Sequence, residues 1–526
     1  MSEWRSIAAL VVSVVVSNTA WAEPLRIGRE FRVNTYTTSL QLIPSVGVAG
    51  NGDFIVAWQS AGQDRSYGGI FARRFASIGT ALDTTDFQVN TYTTDYQYEP
   101  SVGVATSGDF VVTWTSYGQD GSGNGIFARR FASTGSPLDM TDFQVNTHTT
   151  FPQYRSSVGV ASSGDFVVTW MSQDQDGSGT GIFARRFDSS GTSLDATEFL
   201  VNTYTAAFQG SPSVGVAPSG DFVVAWMSNG QAVPYWGVFA RRFSSTGVAL
   251  DTAEFQVNTS TTYSQVLPSV SVAPSGDFVV VWESQLQGGS LTEIFARRFA
   301  SSGVALDTTD FQVNTYTTNS QYRPSVGVTP SGGFVVAWDG LGQDVITHGI
   351  FARRFDSAGL ALDATDFRVN KHTTYGPSRP KVGIAGSGDF VVAWKRDDQD
   401  GSGYEISARQ FKDIHFTNPL DGGEVDCRTP RLRSSRPLIT WDQGSYDRFR
   451  VQVSWEPAFP KNQRITSGDE LLMLPHWKPG ADEWRLVCNH AGVEIYFRVF
   501  GVDLDLDKNH ALRKAISDEV AASVLN

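Results

Sequence analysis

The chain has 526 residues, of which 40% are hydrophobic and 12% aromatic, enough to bury a large core and to form more than one domain. Its formal net charge is −13 and its sequence pI is about 5.0. Because an acidic surface repels phosphate backbones, we expect no nucleic-acid partner.

The N-terminus has the pattern of a signal peptide. Arg5 precedes an apolar run over residues 7–16, and Ala20 and Ala22 place small residues at −3 and −1 of a cut before Glu23. The apolar run is too short to span a bilayer, and no later stretch is long enough. We therefore predict a signal peptide over residues 1–22, export to the periplasm, the medium or the cell surface, and no membrane span in the mature chain.

A repeat with a period of 56 residues organises the next part of the chain. The phrase VNT begins at Val33 and returns at the same interval until VNK at Val369, and FARRF keeps this interval from Phe71 onward. Each copy holds four short runs that alternate as strands do: A (PSVGVA), B (DFVVAW), C (IFARRF) and D (FQVNT). Turn-forming residues separate the runs.

Seven copies of four antiparallel strands predict an all-β fold, a seven-bladed β-propeller over residues 23–411. An open β-solenoid is the alternative, although its coils are usually shorter. The chain begins with a lone D run at 30–35 and ends with runs A, B and C, so we expect residues 30–35 to complete the last blade and close the ring. The phrase SGD is expected to form the A–B turn. Tryptophans of run B are expected in the core: Trp58, Trp114, Trp170, Trp226, Trp282, Trp338 and Trp394.

Over about residues 30–411 the repeat resembles one that is common in large exported bacterial proteins, often beside calcium-binding or adhesion modules. The resemblance implies an exported protein and no particular activity. The phrase S-x-D-x-x-x-x-W also resembles the Asp-box of sialidase propellers, but Val111 and its equivalents stand where that family has glycine.

A second domain is predicted over residues 412–505. Its strand-like runs, such as RFRVQVSW at 448–455 and EIYFRVFGVD at 494–503, are typical of a β-sandwich. Trp441 and Tyr496 resemble the core tryptophan and the corner tyrosine of fibronectin type III domains, whereas the spacing over 456–480 departs from that family. The resemblance implies a spacer or binding module. Residues 506–526 form a tail.

The chain has two cysteines, Cys427 and Cys488. In an exported protein this count predicts one disulfide bond between them. Two buried free thiols are the alternative.

Catalytic signatures are scarce. The sequence contains no zinc-protease spacing, no nucleophile elbow and no phosphate loop. The paired arginines of FARRF alternate to opposite sides of a blade, which favours bonds to a turn aspartate or to neighbouring blades over an anion-binding ring.

The loops between runs B and C vary most between the copies, and they share one face of the disc with the D–A loops. Variable loops on a rigid scaffold often carry binding residues, and exposed aromatic side chains suit sugar rings or peptide side chains. Candidate ligand-binding residues in these loops are Tyr67, Tyr117, Tyr235, Trp236, His348 and Tyr404. The alternative is that the loops have drifted without a function.

Calcium is the only cofactor that the sequence suggests. The phrase DQDGSG at 174–179 and 398–403 places Asp174, Asp176, Asp398 and Asp400 in short loops, and closely spaced carboxylates are calcium ligands. A hairpin turn that uses Asp-Gly is the alternative.

The expected function is that of an exported, non-enzymatic binding or surface-interaction protein that recognises a glycan or a protein on the B–C/D–A face. A glycan-active hydrolase or lyase on the same face is one alternative, and a structural scaffold of an envelope assembly is another. The sequence assigns no oligomeric state.

Overall fold

The computed structural model describes residues 25–232, 235–287, 291–342, 348–371, 376–397 and 403–412, with the backbone alone at 25–29 and in short strands near both ends. The chain divides into two compact units. One comprises Ile27–Ala361 and Thr365–Gln410, and the other comprises Met1–Arg26, Leu362–Ala364 and Phe411–Asn526. Among the described residues, no helix is long and apolar enough to cross a membrane.

The first unit is the predicted seven-bladed β-propeller, in which each blade is a four-stranded antiparallel sheet. Runs A to D form its strands A to D, from the innermost to the outermost. Blade 1 consists of Gln41–Val48, Phe54–Ser60, Gly69–Phe75 and Phe87–Gln88. Blade 2 consists of Gln97–Val104, Phe110–Tyr117, Asn124–Phe131 and Phe143–Gln144. Blade 3 consists of Gln153–Val160, Phe166–Gln173, Thr180–Phe187 and Phe199–Leu200. Blade 4 consists of Gln209–Val216, Phe222–Ser228, Gly237–Phe243 and Phe255–Gln256. Blade 5 consists of Gln265–Val272, Phe278–Gln285, Thr292–Phe299 and Phe311–Gln312. Blade 6 consists of Gln321–Val328, Phe334–Leu341, His348–Phe355 and Phe367–Arg368.

Blade 7 joins the two ends of the repeat region. Its strands A to C are Ser378–Ile384, Phe390–Asp397 and Tyr404–Lys412, and its outermost strand is Leu25–Arg32 from the start of the chain. The carboxylate of Glu30 accepts hydrogen bonds from the Lys371 backbone N–H (2.6 Å) and from Arg396 (2.9 Å). The first strand of the propeller therefore pairs with the last, so that blade 7 has four strands and the ring is closed.

The blades pack face to face through apolar residues of strands B and C. Between blades 1 and 2, for example, Ile55 and Ala57 lie against Val112, Trp114 and Phe127. All seven strand-B tryptophans have no exposed surface. Burying each of these large side chains contributes at least about 1.5–3 kcal/mol, which explains why each copy keeps the same apolar phrase.

The phrase SGD forms the A–B turn, as its residues predicted. Its glycine has φ between 86° and 91° in all seven blades, a conformation that disfavours other residues. In blade 1 the turn aspartate, Asp53, accepts a hydrogen bond from the Ser77 backbone N–H in the C–D connection (2.8 Å). The turn therefore joins two connections on the same face of the disc.

The arginine pairs of FARRF are structural, as the alternation of strand C predicted. In blade 1, Arg73 donates to the Val33 carbonyl in the outermost part of the preceding blade (3.0 Å). Arg74 binds Asp83 of its own blade (2.5 Å) and donates to the Ser133 carbonyl of the next blade (2.6 Å). The pairs of blades 1 to 5 therefore link each blade to both neighbours.

The second unit is described through the backbone of its short strands. Phe416–Asn418, Ile439–Trp441 and His476–Trp477 pair in one sheet, and Arg464–Thr466, Arg448–Ser454, Glu494–Asp503, Arg513–Ile516 and Val520–Ser523 pair in another. Val11–Ser13 pairs with Glu424–Asp426. The fibronectin-like sandwich stays a prediction, and Cys427 and Cys488 lie outside the described residues.

Candidate functional site

A bulge interrupts the innermost strand of every blade near the B–C/D–A face. In blade 2 the register with strand B shifts between Tyr98 and Ser101, and Glu99 between them has φ of 54°. The equivalent residues all have φ between 50° and 58° although none is glycine. We call these seven residues the mouth ring: Ile43, Glu99, Arg155, Ser211, Leu267, Arg323 and Arg379. A non-glycine residue in the left-handed conformation normally costs about 1–3 kcal/mol. All seven blades nevertheless keep the bulge, and a bulge changes the direction in which its side chain points.

The bulge turns the mouth-ring side chains toward the central channel. Arg155 of blade 3 lies 3.7 Å from the Glu99 carboxylate of blade 2 and donates to Ser211 of blade 4 (2.7 Å). Burial raises the pKa of Glu99, and the charges of Arg155 and Arg379 oppose this shift. Because Arg379 belongs to blade 7, which is not adjacent to blade 2, its influence on Glu99 acts across the channel.

A pocket of about 650 Å³ opens at the mouth of the channel over blades 2 to 4. We call it the mouth pocket, and its lining residues are Tyr98, Glu99, Tyr154, Arg155, Met171, Phe208, Met227 and Trp236. The Phe208 and Trp236 rings meet edge to face, with centroids 5.4 Å apart. The pocket thus combines four aromatic and two methionine side chains with a single Glu–Arg pair.

The wall behind the mouth ring is formed by the residue that follows the tryptophan in strand B. It is apolar in blades 3 and 4, as Met171 and Met227, and charged in blades 5 to 7, as Glu283, Asp339 and Lys395. Burial raises the pKa of Glu283 to about 7 and that of Asp339 to about 6. The channel mouth is therefore aromatic on one side and charged on the other.

Arg323 joins these wall carboxylates to the mouth ring. Its backbone N–H donates to Glu283 (2.6 Å) and its guanidinium donates to Asp339 (2.9 Å), whose side chain is fully buried. The carboxylates thus hold the bulge and side chain of Arg323 in place from behind, without reaching the channel themselves.

Two residues after the mouth-ring residue, the innermost strand carries a serine in six blades. Each of these serine hydroxyls accepts a hydrogen bond from a valine backbone N–H of the next blade, at 3.0–3.3 Å. In blade 7 the position is occupied by Lys381. Protein atoms surround this lysine and lower the pKa of its ammonium group, with a further contribution from Arg379, yet its surface stays accessible to water. Lys381 therefore projects into the lumen of the channel.

The opposite end of the channel is apolar. A cavity of about 210 Å³ there is lined mainly by the last residues of the innermost strands and by turn residues, including Val104, Val216, Ile384 and Pro274. A charged ligand would consequently be received from the B–C/D–A face.

Of the aromatic residues that the sequence predicts to bind a ligand, one lines the mouth pocket and the others lie outside its lining. Trp236 lines the mouth pocket. Tyr235 packs on Tyr263, and Tyr67, with 65% of its surface exposed, stacks on Tyr96 away from the pocket lining. Tyr117 is exposed at the end of its strand.

His348 and Tyr404 lie toward the charged side of the mouth. Burial and the charges of Arg323 and Lys395 lower the pKa of His348, while Asp397 opposes them. The Lys395 ammonium lies 3.7 Å from the centroid of the Tyr404 ring, a cation–π contact. These two residues therefore border the charged side rather than the mouth pocket.

Asp174 and Asp176 bind within their own loop. Asp174 accepts a hydrogen bond from the Gly179 N–H (3.2 Å), and Asp176 accepts one from the Ser178 N–H (3.3 Å). No group of three or more His, Cys, Asp or Glu side chains suited to a metal occurs within the described part of the chain. Asp398 and Asp400 lie outside that part, so the calcium site stays a prediction.

Sequence reasoning missed the mouth ring and Lys381. The signal was present in the repeat itself, because the residue before P-S-V-G-V changes from copy to copy and the serine of that phrase becomes lysine once. In a regular strand, the sequence does not show which of these side chains face the channel. The bulge in the innermost strand determines their direction.

Comparisons with known proteins do not assign this chain to a family. No family profile and no curated protein matches the chain. A solved structure of a protein of unknown function from Dyadobacter fermentans covers 74% of this chain and 99% of its own, with 12% identity and a TM-score of 0.44. An α-L-arabinofuranosidase from Fusarium graminearum covers 74% and 97%, with 10% identity and 0.41. An ulvan lyase covers 73% and 94%, with 9% identity and 0.45. Likenesses at this level carry no inference about function.

Proposed function

We propose that this protein is an exported binding protein that holds a saccharide in the mouth pocket. The observation that carries the proposal is the convergence of four aromatic side chains and the Glu99–Arg155 pair in one concave site on the variable face. The volume of the pocket, about 650 Å³, falls within the range of about 300–1,000 Å³ that is typical of small-ligand sites.

The chemistry of the lining suits a sugar ring. The apolar C–H face of a pyranose packs on aromatic rings such as Trp236 and Tyr154, while its hydroxyl groups need charged or polar partners such as Glu99 and Arg155. Met171 and Met227 add an adaptable apolar surface.

The lining favours binding over glycoside hydrolysis. Glycosidases use two carboxyl groups that flank the scissile bond, about 5–10 Å apart. Among the described residues that line the mouth pocket, Glu99 is the single carboxylate. Glu283 and Asp339 are buried in the wall, with 6% and 0% of their surfaces exposed, and do not reach a ligand in the pocket.

The test is a glycan-array screen of the chain from Glu23, run in calcium and again in EDTA. We expect binding in both buffers, loss of most of this binding in Trp236→Ala, and full binding in Tyr67→Ala. Tyr67 is the matched control because it is an exposed aromatic residue in a B–C loop outside the pocket. Absence of binding in both buffers, or equal binding by both variants, would contradict the proposal.

A further inference from the structure

Two cations on the innermost strand of blade 7 stand without partners. Within the described part of the chain, the guanidinium of Arg379 and the ammonium of Lys381 have no hydrogen bond and no ion pair. The charge of Arg379 lowers the pKa of Lys381, while the carboxylates of Glu99 and Asp339 favour the charged form of Arg379 without an ion pair. Two like charges are thus held close together in an enclosed channel.

Such an arrangement opposes folding. Both side chains stay accessible to water, but two charges of the same sign that are held close together repel each other, and the protein around them weakens the screening of this repulsion. The repeat offers a neutral solution at the same position, because six blades carry a serine that bonds to the next blade. Blade 7 departs from this solution, which is the pattern expected of a functional position.

The surroundings make this part of the channel cationic. Arg323 and Arg155 add two further guanidinium groups to the mouth ring, where Glu99 is the single carboxylate. Arg323 uses one of its nitrogens on Asp339, and Arg155 lies 3.7 Å from Glu99. A local excess of positive charge thus occurs in a chain whose formal net charge is −13.

This cationic region lies across the channel from the Glu–Arg pair of the mouth pocket. Glu99 and Arg155 line the pocket, and both act electrostatically on Arg379 from the other side of the channel. A group that extends from the pocket toward the lumen would meet Arg379 first and then Lys381, two residues further along the same strand.

We propose that the lumen next to the pocket is a subsite for an oxyanion, and that the ligand is an acidic saccharide. A carboxylate or sulfate group of one sugar binds Arg379 and Lys381, while a neighbouring sugar ring lies on the aromatic side of the mouth pocket. This inference rests on the proposed saccharide binding. Guanidinium groups bind planar oxyanions through paired hydrogen bonds, and the enclosed channel strengthens these bonds relative to water.

The test compares matched ligands and matched variants by isothermal titration calorimetry on the chain from Glu23. The probes are galacturonate oligosaccharides, the same oligosaccharides after reduction of their carboxyl groups, sulfated galactan oligosaccharides and poly-glutamate. Lys381→Ser introduces the residue of the other six blades, and Arg379→Leu introduces the residue of blade 5, so both should fold. Lys371→Thr is the control, because it removes one exposed positive charge and restores the phrase VNT.

We expect an acidic oligosaccharide to bind at least about tenfold more tightly than its neutral counterpart, and Lys381→Ser and Arg379→Leu to abolish this difference while Lys371→Thr keeps it. The preferred acid, uronate or sulfate, identifies the group. Binding of neutral and acidic oligosaccharides with equal affinity, lost in Trp236→Ala, would overturn the acidic subsite and leave the saccharide site intact. Equal binding of poly-glutamate would overturn saccharide selectivity, and failure of every saccharide would overturn the proposed function itself.

Discussion

The two faces of the propeller use charge in opposite ways. On the A–B/C–D face, each second arginine of FARRF in blades 1 to 5 binds an aspartate of its own blade at 2.5–2.6 Å and a carbonyl of the next blade. On the B–C/D–A face, the charged residues of the mouth ring and of the wall behind it change from blade to blade, and the side chains of Arg379 and Lys381 make no hydrogen bond or ion pair within the described structure. Positions that repeat therefore hold the blades together, whereas positions that differ between blades line the proposed ligand site.

The largest expected effect is a difference in stability between substitutions of two arginines, one on each face. Arg186→Ala removes the bonds to Asp195 and Ser245, leaves a largely buried carboxylate unpaired, and is expected to lower the free energy of unfolding by about 3 kcal/mol. Arg155→Ala removes a half-exposed pair and is expected to cost less than about 1 kcal/mol while it weakens saccharide binding. Denaturant unfolding of both variants checks the contrast, and equal losses of stability would erase the distinction between the faces.

The next effect concerns the seam where the chain ends meet. Glu30 and Asp86 both accept backbone N–H groups of the preceding blade, but Glu30 also binds the largely buried Arg396. We expect Glu30→Ala to lower the free energy of unfolding by about 2–3 kcal/mol and Asp86→Ala by about 1 kcal/mol. A smaller loss for Glu30→Ala than for Asp86→Ala, measured by urea unfolding, would show that the seam does not depend on this contact.

A pH-dependent effect is expected from the wall behind the mouth ring. Because burial raises the pKa of Glu283 from 4.5 to about 7, the native state keeps a proton that the unfolded chain releases. The resulting stabilisation is complete below about pH 4.5 and is lost as the pH rises through 7. The nearby charges are Arg323, which favours ionisation, and Asp339, which opposes it.

Glu283→Gln tests this effect, since glutamine is neutral at every pH and is the residue of blade 1 at the same position. The variant should be more stable than the parent chain at pH 8 and about equally stable at pH 4, as measured by denaturant unfolding at both values. A variant that is less stable than the parent at pH 8 would mean that the charged form of Glu283 is the stabilising one.

The smallest expected effect is that of calcium. Asp174 and Asp176 use their carboxylates on N–H groups of their own loop, so removal of calcium by EDTA should leave the melting temperature of the chain unchanged within about 1 °C. A rise of several degrees on addition of calcium, abolished in Asp176→Asn, would contradict this expectation and support the calcium site that the DQDGSG phrase predicts.

The fold was accessible from the sequence because its period is strict. Seven buried tryptophans and seven glycine turns recur at the same interval because every blade packs in the same way. The alternation of strand C places its two arginines against opposite neighbouring blades. The site was accessible only in part. Trp236 was recognised as an exposed loop aromatic, whereas Arg379 and Lys381 belong to a strand whose bulge depends on left-handed non-glycine residues that no local sequence preference announces.

Hydrogen exchange measured by mass spectrometry, with and without the oligosaccharide that binds tightest in the glycan screen, tests the central contrast most directly. We predict slower exchange in the bound state for the D–A loops and strand starts around Tyr98, Tyr154 and Arg379, and unchanged exchange in the A–B turns and C–D connections. Protection of the A–B turns and C–D connections, with no change around the channel mouth, would contradict the division of the molecule into a structural face and a binding face.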